Sequence, residues 1–289
     1  MTRGSVAGLL LLLVVTACSG SGQARGAKTA PASPPPVNDY QQTVLADGAV
    51  HLWPLDDAAG AEEGAKVADV AGGTGGGRVV GPVVQATNGP LPGRKAVQFT
   101  GSGKVETRST GILLPGRPFT MEFFFRADGC TRTWTQVAGN ATYDATGRNG
   151  VNVLHYPKFF QSQCQLAVEF WGNGRFTGGC GTPTPTVRGR WFLFAMTYDG
   201  HDAQCFVDGH AVARSRVRSF AVSDLTFFGI GGSGGGYAGP LDSGSMADVA
   251  LYKRALSGGQ LARHALVAAQ LVAQAAGVAG PRLPVPSPT

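Results

Sequence analysis

Residues 119–126 read Phe-Thr-Met-Glu-Phe-Phe-Phe-Arg, and this stretch decides the fold class. Apolar side chains at every second position share one face of a β-strand, which here carries Phe119, Met121, Phe123 and Phe125. Eight other short apolar stretches are separated by Gly, Pro, Asn and Asp, as in an antiparallel sheet. They cover residues 97–99, 151–154, 166–170, 191–198, 204–207, 211–217, 225–230 and 246–252. The sequence therefore predicts an all-β antiparallel sandwich.

Two hairpins and two disulfides are predicted. Asp208-Gly209 favours a tight turn, because both residues tolerate positive φ. Four cysteines besides Cys18 indicate two disulfides in an exported protein. Cys164 and Cys180 lie at equal distances from Gly172, so a hairpin centred there would pair them and leave Cys130 with Cys205. A zinc site is the alternative, although the short ligand spacing of such sites is missing from the sequence.

The N-terminal residues predict export. Residues 15–18, Val-Thr-Ala-Cys, follow Arg3 and the apolar residues 6–14, and together they resemble a bacterial lipoprotein signal. The apolar run is far shorter than the roughly 20 residues that span a bilayer. We therefore expect residues 1–17 to be a cleaved signal peptide, Cys18 to be lipidated, and residues 18–39 to form a Pro/Ser/Gly-rich tether. The expected location is the cell membrane, facing outside the cytoplasm.

The charge balance argues against nucleic acid. The chain has 24 Lys and Arg against 18 Asp and Glu, and the signal peptide contains one of the basic residues, Arg3. This mild excess favours anionic envelope polymers or lipid head groups as neighbours. Dense basic blocks, which nucleic-acid-binding proteins usually have, are missing from the sequence.

Three segments resemble the laminin G-like jelly roll of the concanavalin A-like lectin and glucanase superfamily. They are residues 44–56 (Val-Leu-Ala-Asp-Gly-Ala-Val-His-Leu-Trp-Pro-Leu-Asp), residues 191–200 (Trp-Phe-Leu-Phe-Ala-Met-Thr-Tyr-Asp-Gly) with 206–209 (Phe-Val-Asp-Gly), and residues 246–257 (Met-Ala-Asp-Val-Ala-Leu-Tyr-Lys-Arg-Ala-Leu-Ser). The resemblance covers residues 40–267. It implies an opening strand at 44–56 and a short C-terminal helix capped by Ser257 and Gln260. We expect residues 268–289 to hold the helix end and a disordered Pro-rich tail.

The carboxylates do not indicate an enzyme. The superfamily includes glycosidases, which need two carboxylates at a fixed separation. None of the five glutamates belongs to a Glu-x-Asp-x-x-Glu strand like that of the retaining glucanases, and a structural ion pair with Arg126 accounts for Glu122. The histidines stand apart from any Ser and Asp arrangement of a catalytic triad. The sequence predicts a non-catalytic protein.

The resemblance also implies calcium as a possible cofactor, at a sandwich edge. Asp56, Asp57 and Asp242 are the loop candidates for its ligands. Ala247 occupies the position where relatives frequently carry Asp, and Asp248 beside it would point to the other face. The alternative is that these aspartates bond their own backbone in turns.

Trp171 is the main candidate for ligand contact. In the turn at 170–175 it would be exposed and able to stack on a sugar ring, with Arg175 beside it and Tyr156 nearby. The alternative is that Trp171 covers the predicted Cys164–Cys180 bridge. The other tryptophans lie in alternating strands and are expected in the core, namely Trp53, Trp134 and Trp191.

Arg214, Arg216 and Arg218 alternate along a predicted strand and would present three guanidinium groups to an anionic polymer. The alternative is a solvated strand face. Together these features predict a membrane-anchored binding module for carbohydrate, a cell-wall polymer or an envelope protein. A protein-interaction or structural module without a sugar site is the second hypothesis, and a glycan hydrolase is the third.

Overall fold

In the computed structural model, two β-sheets pack face to face and two helices cover the outer face of one of them. The structure describes residues 37–72, 75–86, 88–108, 111–130, 134–157, 164–182, 186–222, 227–232 and 238–281. The predicted signal peptide, the lipidation site Cys18, most of the predicted tether and the tail beyond Pro281 lie outside these residues.

The elements follow one another in the order α1 (Asp39–Ala46), β1 (His51–Trp53), β2 (Lys66–Val67), β3 (Gly77–Val80), β4 (Val84–Ala86), β5 (Ala96–Phe99), β6 (Lys104–Arg108), β7 (Phe119–Ala127), β8 (Thr135–Gly139), β9 (Thr142–Asp144), β10 (Gly147–Pro157), β11 (Cys164–Gly172), β12 (Arg175–Gly181), β13 (Trp191–Tyr198), β14 (Asp202–Val207), β15 (His210–Arg216), β16 (Phe227–Ile230), β17 (Gly239–Pro240), β18 (Gly244–Tyr252) and α2 (Gly258–Ala275).

Among the described residues, the first sheet has eight strands in the order β15-β14-β13-β7-β18-β5-β4, with β1 paired to β18. The second has ten strands in the order β12-β11-β10-β8-β16-β6-β3-β2, with β17 paired to β8 and β9 to β10. Pairing is antiparallel except between β17 and β8. The predicted fold class, an antiparallel jelly-roll sandwich with a C-terminal helix, is confirmed.

The side chains of β7 alternate between the two faces of the sheet, and the four apolar residues predicted to share one face do so. Phe119, Met121, Phe123 and Phe125 are buried between the sheets. Phe124 points to the other side, where it packs with residues of the helices such as Tyr40 and Leu261. Each fully buried large apolar side chain contributes about 1.5–3 kcal/mol, so these two layers hold the helices, the eight-stranded sheet and the ten-stranded sheet together.

Both helices begin with a capping box. Ser257 and Gln260 cap α2, as predicted, and Asn38 and Gln41 cap α1 in the same way. The opening strand is shorter than predicted, because residues 44–46 belong to α1 and β1 begins only at His51. Within the described part of the chain, neither helix combines the length and apolar character needed to cross a bilayer.

The structure corrects the predicted disulfides, since it links Cys130 to Cys164 and Cys180 to Cys205. The hairpin turns at Asn173 and Gly174, both at positive φ, and a bulge after Phe170 shifts the register further. Cys180 therefore lies opposite Val168 and not opposite Cys164. Its side chain enters the core and joins Cys205 on β14, so this bond ties the two sheets together.

The Asp208-Gly209 turn is confirmed, with φ of 48° and 78°. A Cβ on Gly209 would lie 2.6 Å from the Ala262 Cα, so the turn packs directly against α2. We expect Gly209→Ala to lower the free energy of unfolding by roughly 1–3 kcal/mol more than Gly189→Ala. Gly189 is the matched control, because its φ is +77° with nothing within 4 Å of the added Cβ. Equal losses in urea denaturation would contradict tight packing of the turn on α2.

Candidate functional site

The outer face of the ten-stranded sheet carries a groove of about 420 Å³ where β10, β11 and β12 run side by side. We call it the sheet groove. Its floor is shallow because Ala167 lies opposite Gly181, and Glu169 opposite Gly179. A Cβ on Gly179 would collide with the Val168 carbonyl oxygen, so the backbone requires glycine there. The groove is lined by Tyr156, Gln165, Ala167, Val168, Glu169, Phe176, Gly179, Cys180, Gly181, Thr182, Ala213 and Arg214.

Aromatic pairs stand near both ends of this floor. Tyr156 stacks on Trp134 with ring centroids 4.8 Å apart, and the side-chain amide of Gln165 donates to the Tyr156 hydroxyl. Toward the other end, Trp171 meets Phe176 edge-on at 5.8 Å. Gln165 and Trp171 are six residues apart on β11, which corresponds to roughly 20 Å along a strand. The groove is therefore long enough for an extended ligand.

Trp171 lies at the end of strand β11. The prediction that it lies in an exposed turn was wrong. Its indole Nε1 donates to Glu169 Oε2 at 2.8 Å, and the guanidinium of Arg148 lies 4.4 Å from the ring centroid. Arg148 is buried and also pairs with Glu169 Oε2 at 3.2 Å. These contacts hold the Trp171 ring in one orientation. The alternative, a cover over a Cys164–Cys180 bridge, was also wrong, since that bridge does not exist.

The predicted arginine row is corrected. β15 ends at Arg216, so Arg218 falls outside the strand. Arg214 pairs with Asp202 at 2.7 Å, and Arg216 lies 3.8 Å from the same carboxylate. Arg214 reaches the rim of the sheet groove, whereas the exposed Arg175 is not among its lining residues. Asp202 together with Asp199, which lies 3.9 Å from Arg214, pairs with these two arginines, so the strand carries two paired arginines and not the predicted row of three.

The predicted calcium ligands do not come together. Within the described ranges, no group of three or more His, Cys, Asp or Glu side chains could hold a metal ion. Asp56 pairs with Arg94 at 2.5 Å, and Asp57 accepts a hydrogen bond from the Ala68 amide at 2.6 Å. Asp242 lies beside Gly101. A calcium site that uses Asp56, Asp57 and Asp242 together was therefore a wrong prediction.

Asp248 is buried beneath α1. Its carboxyl accepts a hydrogen bond from the Gln41 side chain, and its φ is 49°. Burial raises the pKa of this carboxyl to about 7. The contact with α1 places Asp248 on the side of the eight-stranded sheet away from the sheet groove.

Glu122 has different partners from those predicted. Arg126 pairs with Asp128 at 2.6 Å, whereas Glu122 accepts a hydrogen bond from the Tyr252 hydroxyl at 2.8 Å and lies 3.0 Å from His264 Nδ1. His264 Nε2 lies 2.9 Å from Asp47 Oδ2. Burial by itself would lower the pKa of His264, but the Glu122 and Asp47 carboxylates outweigh it and raise that pKa. We call Asp47, Glu122, Tyr252 and His264 the helix network, since it joins α2 to the chain after α1 and to the eight-stranded sheet.

The tryptophans divide between core and surface. Trp53 is buried in the core, as predicted. Trp134 is not, because it stacks on Tyr156 beside the sheet groove. Trp191 packs partly buried on the helix side, with Arg126 5.0 Å from its ring centroid. Sequence patterns did not identify Gln165, Glu169, Phe176 or the floor glycines as site residues, although alternation along the 164–181 hairpin was a signal for them.

Many solved structures share this fold, including the following two. Domain 4 of AbnA, a GH43 extracellular arabinanase from Geobacillus stearothermophilus in complex with arabinotriose, matches with a TM-score of 0.56 and 15% identity, over 75% of this chain and 98% of that one. The ligand-binding domain of botulinum neurotoxin serotype D in complex with N-acetylneuraminic acid matches with a TM-score of 0.56 and 9% identity, over 78% of this chain and 52% of that one.

Sequence comparison gives one curated relative and one family. Human pappalysin-1 is 27% identical over 141 residues, which make up 45% of this chain and 8% of that protein. The chain thus matches only a small part of the relative's length. The Laminin_G_3 family model matches residues 99–262, more than half of the chain. On these grounds the chain belongs to the Laminin_G_3 family of the concanavalin A-like lectin/glucanases superfamily.

Proposed function

We propose that this protein is an exported, lipid-anchored and non-catalytic binding module that recognises carbohydrate through the sheet groove. The observation that carries the proposal is a flat floor of small residues with Tyr156 and Phe176 along its edges and the Gln165 amide between them. Aromatic faces stack on the apolar faces of sugar rings, and amide and hydroxyl groups bond sugar hydroxyls. A glycan or cell-wall polymer suits a long shallow groove of this kind.

Two further observations support a sugar ligand. Trp171 stands beside the groove, held by Arg148 and Glu169, and the groove-lining Phe176 packs against its ring, so Phe176 would lose less conformational entropy when it contacts a ligand. Two solved structures with the same fold, described above, contain bound sugars. Because their sequence identity to this chain is low, these structures support the fold alone. The proposal of a sugar ligand therefore rests on the residues of the sheet groove.

The absence of catalysis is part of the proposal. A glycosidase of the usual kind needs two carboxyl groups on either side of the scissile bond. Among the described residues that line the sheet groove, Glu169 is the single carboxylate, and it is occupied by Arg148 and Trp171. Glu122 lies on the other sheet, buried beneath α2. This arrangement favours binding over hydrolysis.

Lipid anchoring at Cys18 and a position outside the cytoplasm rest on the signal-like residues 1–18. The two disulfides support an oxidising compartment, because such bonds are rare in the cytosol. Mass spectrometry of the N-terminal peptide from membrane fractions tests the anchor. A diacylglyceryl group on Cys18 that is lost in Cys18→Ala supports it, and an unmodified Cys18 peptide contradicts it.

A protein partner is the second candidate function. Phe176 and Tyr143 expose 57% and 58% of their surface, which is high for aromatic side chains and suits a contact with another protein. The carbohydrate experiment below separates this candidate from the first.

We expect the double variant Tyr156→Ala/Phe176→Ala to bind glycan at least about tenfold more weakly, a loss of roughly 1.4 kcal/mol. The measurement is a screen of cell-wall polymers and glycans against the mature protein, followed by titration of each hit. Parallel titrations with calcium and with chelator test the implied cofactor. Tyr143→Ala is the control, because Tyr143 is equally exposed but is not among the groove-lining residues.

Equal weakening in Tyr143→Ala would contradict binding in the sheet groove. If no polymer binds the wild-type protein, the carbohydrate proposal fails and a protein partner becomes the better explanation. If chelator abolishes binding, a metal contributes through ligands other than the three aspartates together.

A further inference from the structure

Helix α1 packs on the outer face of the eight-stranded sheet and is joined to β1 by a short turn. Tyr40 and Val44 are fully buried in the apolar layer on that face. The chain turns at Gly48, whose φ is +82°, and enters β1 at His51. Because local opening of one element breaks only the contacts of that element, α1 can leave the sheet by movement at Gly48 while β1 stays paired to β18.

Two polar contacts, one near each end of α1, hold it to the rest of the fold. In the first turn, the Gln41 side-chain amide donates to the Asp248 carboxyl on β18, and both residues are buried. At the C-cap, Asp47 Oδ2 lies 2.9 Å from His264 Nε2 on α2. Each contact therefore has a titratable partner outside α1, which is Asp248 in one case and His264 in the other.

The Asp248 carboxyl favours its neutral form while α1 covers it. Burial raises the pKa of this carboxyl to about 7, and the Asp56 and Glu122 carboxylates act in the same direction. The Gln41 hydrogen bond and the Arg94 charge oppose that rise without cancelling it. Rising pH therefore places a negative charge beneath α1. Release of the helix would bring water to this charge, so ionisation favours the released state.

His264 holds Asp47 most strongly in its charged form. Burial by itself would lower the pKa of His264, but the Glu122 and Asp47 carboxylates raise it above the ordinary value of about 6.5. As the pH rises through the raised pKa, the imidazole becomes neutral and the attraction to Asp47 is lost. Arg263 lies 2.5 Å from the same carboxylate but is 45% exposed, so it holds Asp47 only weakly.

The tyrosines and arginines around these two contacts keep their charge state over the same interval. Burial raises the pKa of the Tyr40 and Tyr252 hydroxyls further above 10. Arg254, which donates to the Asp47 carbonyl oxygen, stays charged, as arginines do in proteins. The changes at Asp248 and His264 are therefore not offset by these groups, and both weaken the hold on α1 as the pH rises.

We propose that α1 is a pH-sensitive latch, closed by the Gln41–Asp248 and Asp47–His264 contacts and released from the eight-stranded sheet as the pH rises. The latch is independent of glycan binding, because its contacts lie on the side of the sandwich away from the sheet groove. The predicted tether ends at residue 39, where α1 begins. Release would therefore add α1 to the length of the tether.

The pH interval of release follows from the sign of each change. Asp248 holds α1 fully below the unfolded value of about 3.9 and progressively less up to about 7. His264 contributes fully below about 6.5, and its contribution is lost as the pH rises through the raised pKa. The two intervals join, so α1 opens more readily at pH of about 8 than at pH of about 5.

Hydrogen exchange of the full chain, followed by mass spectrometry, tests the latch. After correction for the intrinsic exchange rate, we expect the opening constant of the amides at residues 42–47 to be at least about tenfold larger at pH of about 8 than at pH of about 5. Strand β13, in the same sheet, reports global unfolding and should change less. An opening constant for α1 that is unchanged, falls, or changes by the same factor as that of β13 would overturn the proposal.

Variants assign the effect to the two contacts. Asp248→Asn/His264→Gln should abolish most of the pH dependence of α1 opening, because neither new side chain titrates. Asp69→Asn is the matched control, since Asp69 is also a buried carboxylate paired with a histidine, His51, at 2.7 Å. Burial by itself would raise the pKa of Asp69, but the His51 hydrogen bond outweighs it and lowers that pKa, so Asp69 does not titrate in this interval.

The control variant should keep the full pH dependence of the wild type. Full dependence in Asp248→Asn/His264→Gln, or its loss in Asp69→Asn, would show that other groups release α1 and would overturn the proposal. If the double variant does not fold, the comparison of α1 with β13 in the wild-type protein still decides.

Discussion

Glu122→Ala is expected to lower the free energy of unfolding by roughly 3–5 kcal/mol, since it removes one partner of a fully buried ionic network. The Tyr252 hydroxyl and His264 Nδ1 both lose their acceptor, in a place that water does not reach. The Asp47 carboxylate then holds His264 alone. Urea denaturation at constant pH measures the loss.

Glu106→Ala is the matched control for this prediction. Glu106 likewise has two side-chain partners, Arg78 and Lys104, but its side chain is 23% exposed and Arg78 is 67% exposed. Exposed pairs contribute about 0–1 kcal/mol. A similar loss in both variants would show that burial of the helix network adds no stability.

The direction in which stability changes with pH tests whether His264 is charged in the helix network. His264 has a raised pKa in the folded state, so its contribution is fully present below the unfolded value of about 6.5 and is lost as pH rises through the raised pKa. We therefore expect the stability gap between wild type and Glu122→Ala to narrow above pH of about 6.5. If the difference in the free energy of unfolding between the two proteins stays constant or widens as the pH rises above about 6.5, His264 is not charged in the helix network.

Removing the disulfide between the sheets is expected to have the second large effect. Cys180→Ala/Cys205→Ala should lower the free energy of unfolding by roughly 2–5 kcal/mol. The bond joins β12 to β14 inside the core, where Cys205 is fully buried. Its loss both frees the unfolded chain and leaves a cavity between the sheets. Because β12 carries Phe176, the same variant should also weaken glycan binding.

The double variant Cys130→Ala/Cys164→Ala is the control for the disulfide. Its sequence separation of 34 is close to the 25 of the other bond, so the entropic effect is similar. Cys130 is exposed, and Cys164, although buried, lies outside the core cluster that contains Cys180 and Cys205, so the cavity between the sheets does not arise in this variant. We expect this variant to lose less stability. A greater loss, or peptide mapping that links Cys164 to Cys180, would contradict the observed arrangement.

Local apolar patterns predicted nine of the eighteen described strands. Residues 191–198 were predicted as a strand, and β13 has the same limits, because alternation and turn residues act within a few positions. α1 was missed although Asn38 and Gln41 form a capping box that the sequence contains. The disulfide pairing failed for a different reason: a two-residue turn and a bulge moved the register of β12, and neither changes the local apolar pattern.

The sequence by itself determined the all-β sandwich, the family segments, the Asp208-Gly209 turn and the capped α2, since each depends on neighbouring residues. Tertiary structure decided which cysteines bond, which carboxylates are buried and where the aromatic rings meet. Trp171 and Arg148 are 23 positions apart along the chain, and Glu122 and His264 are 142 apart. Such contacts arise only when strands and helices pack, because register and layer order, more than local propensity, place their side chains together.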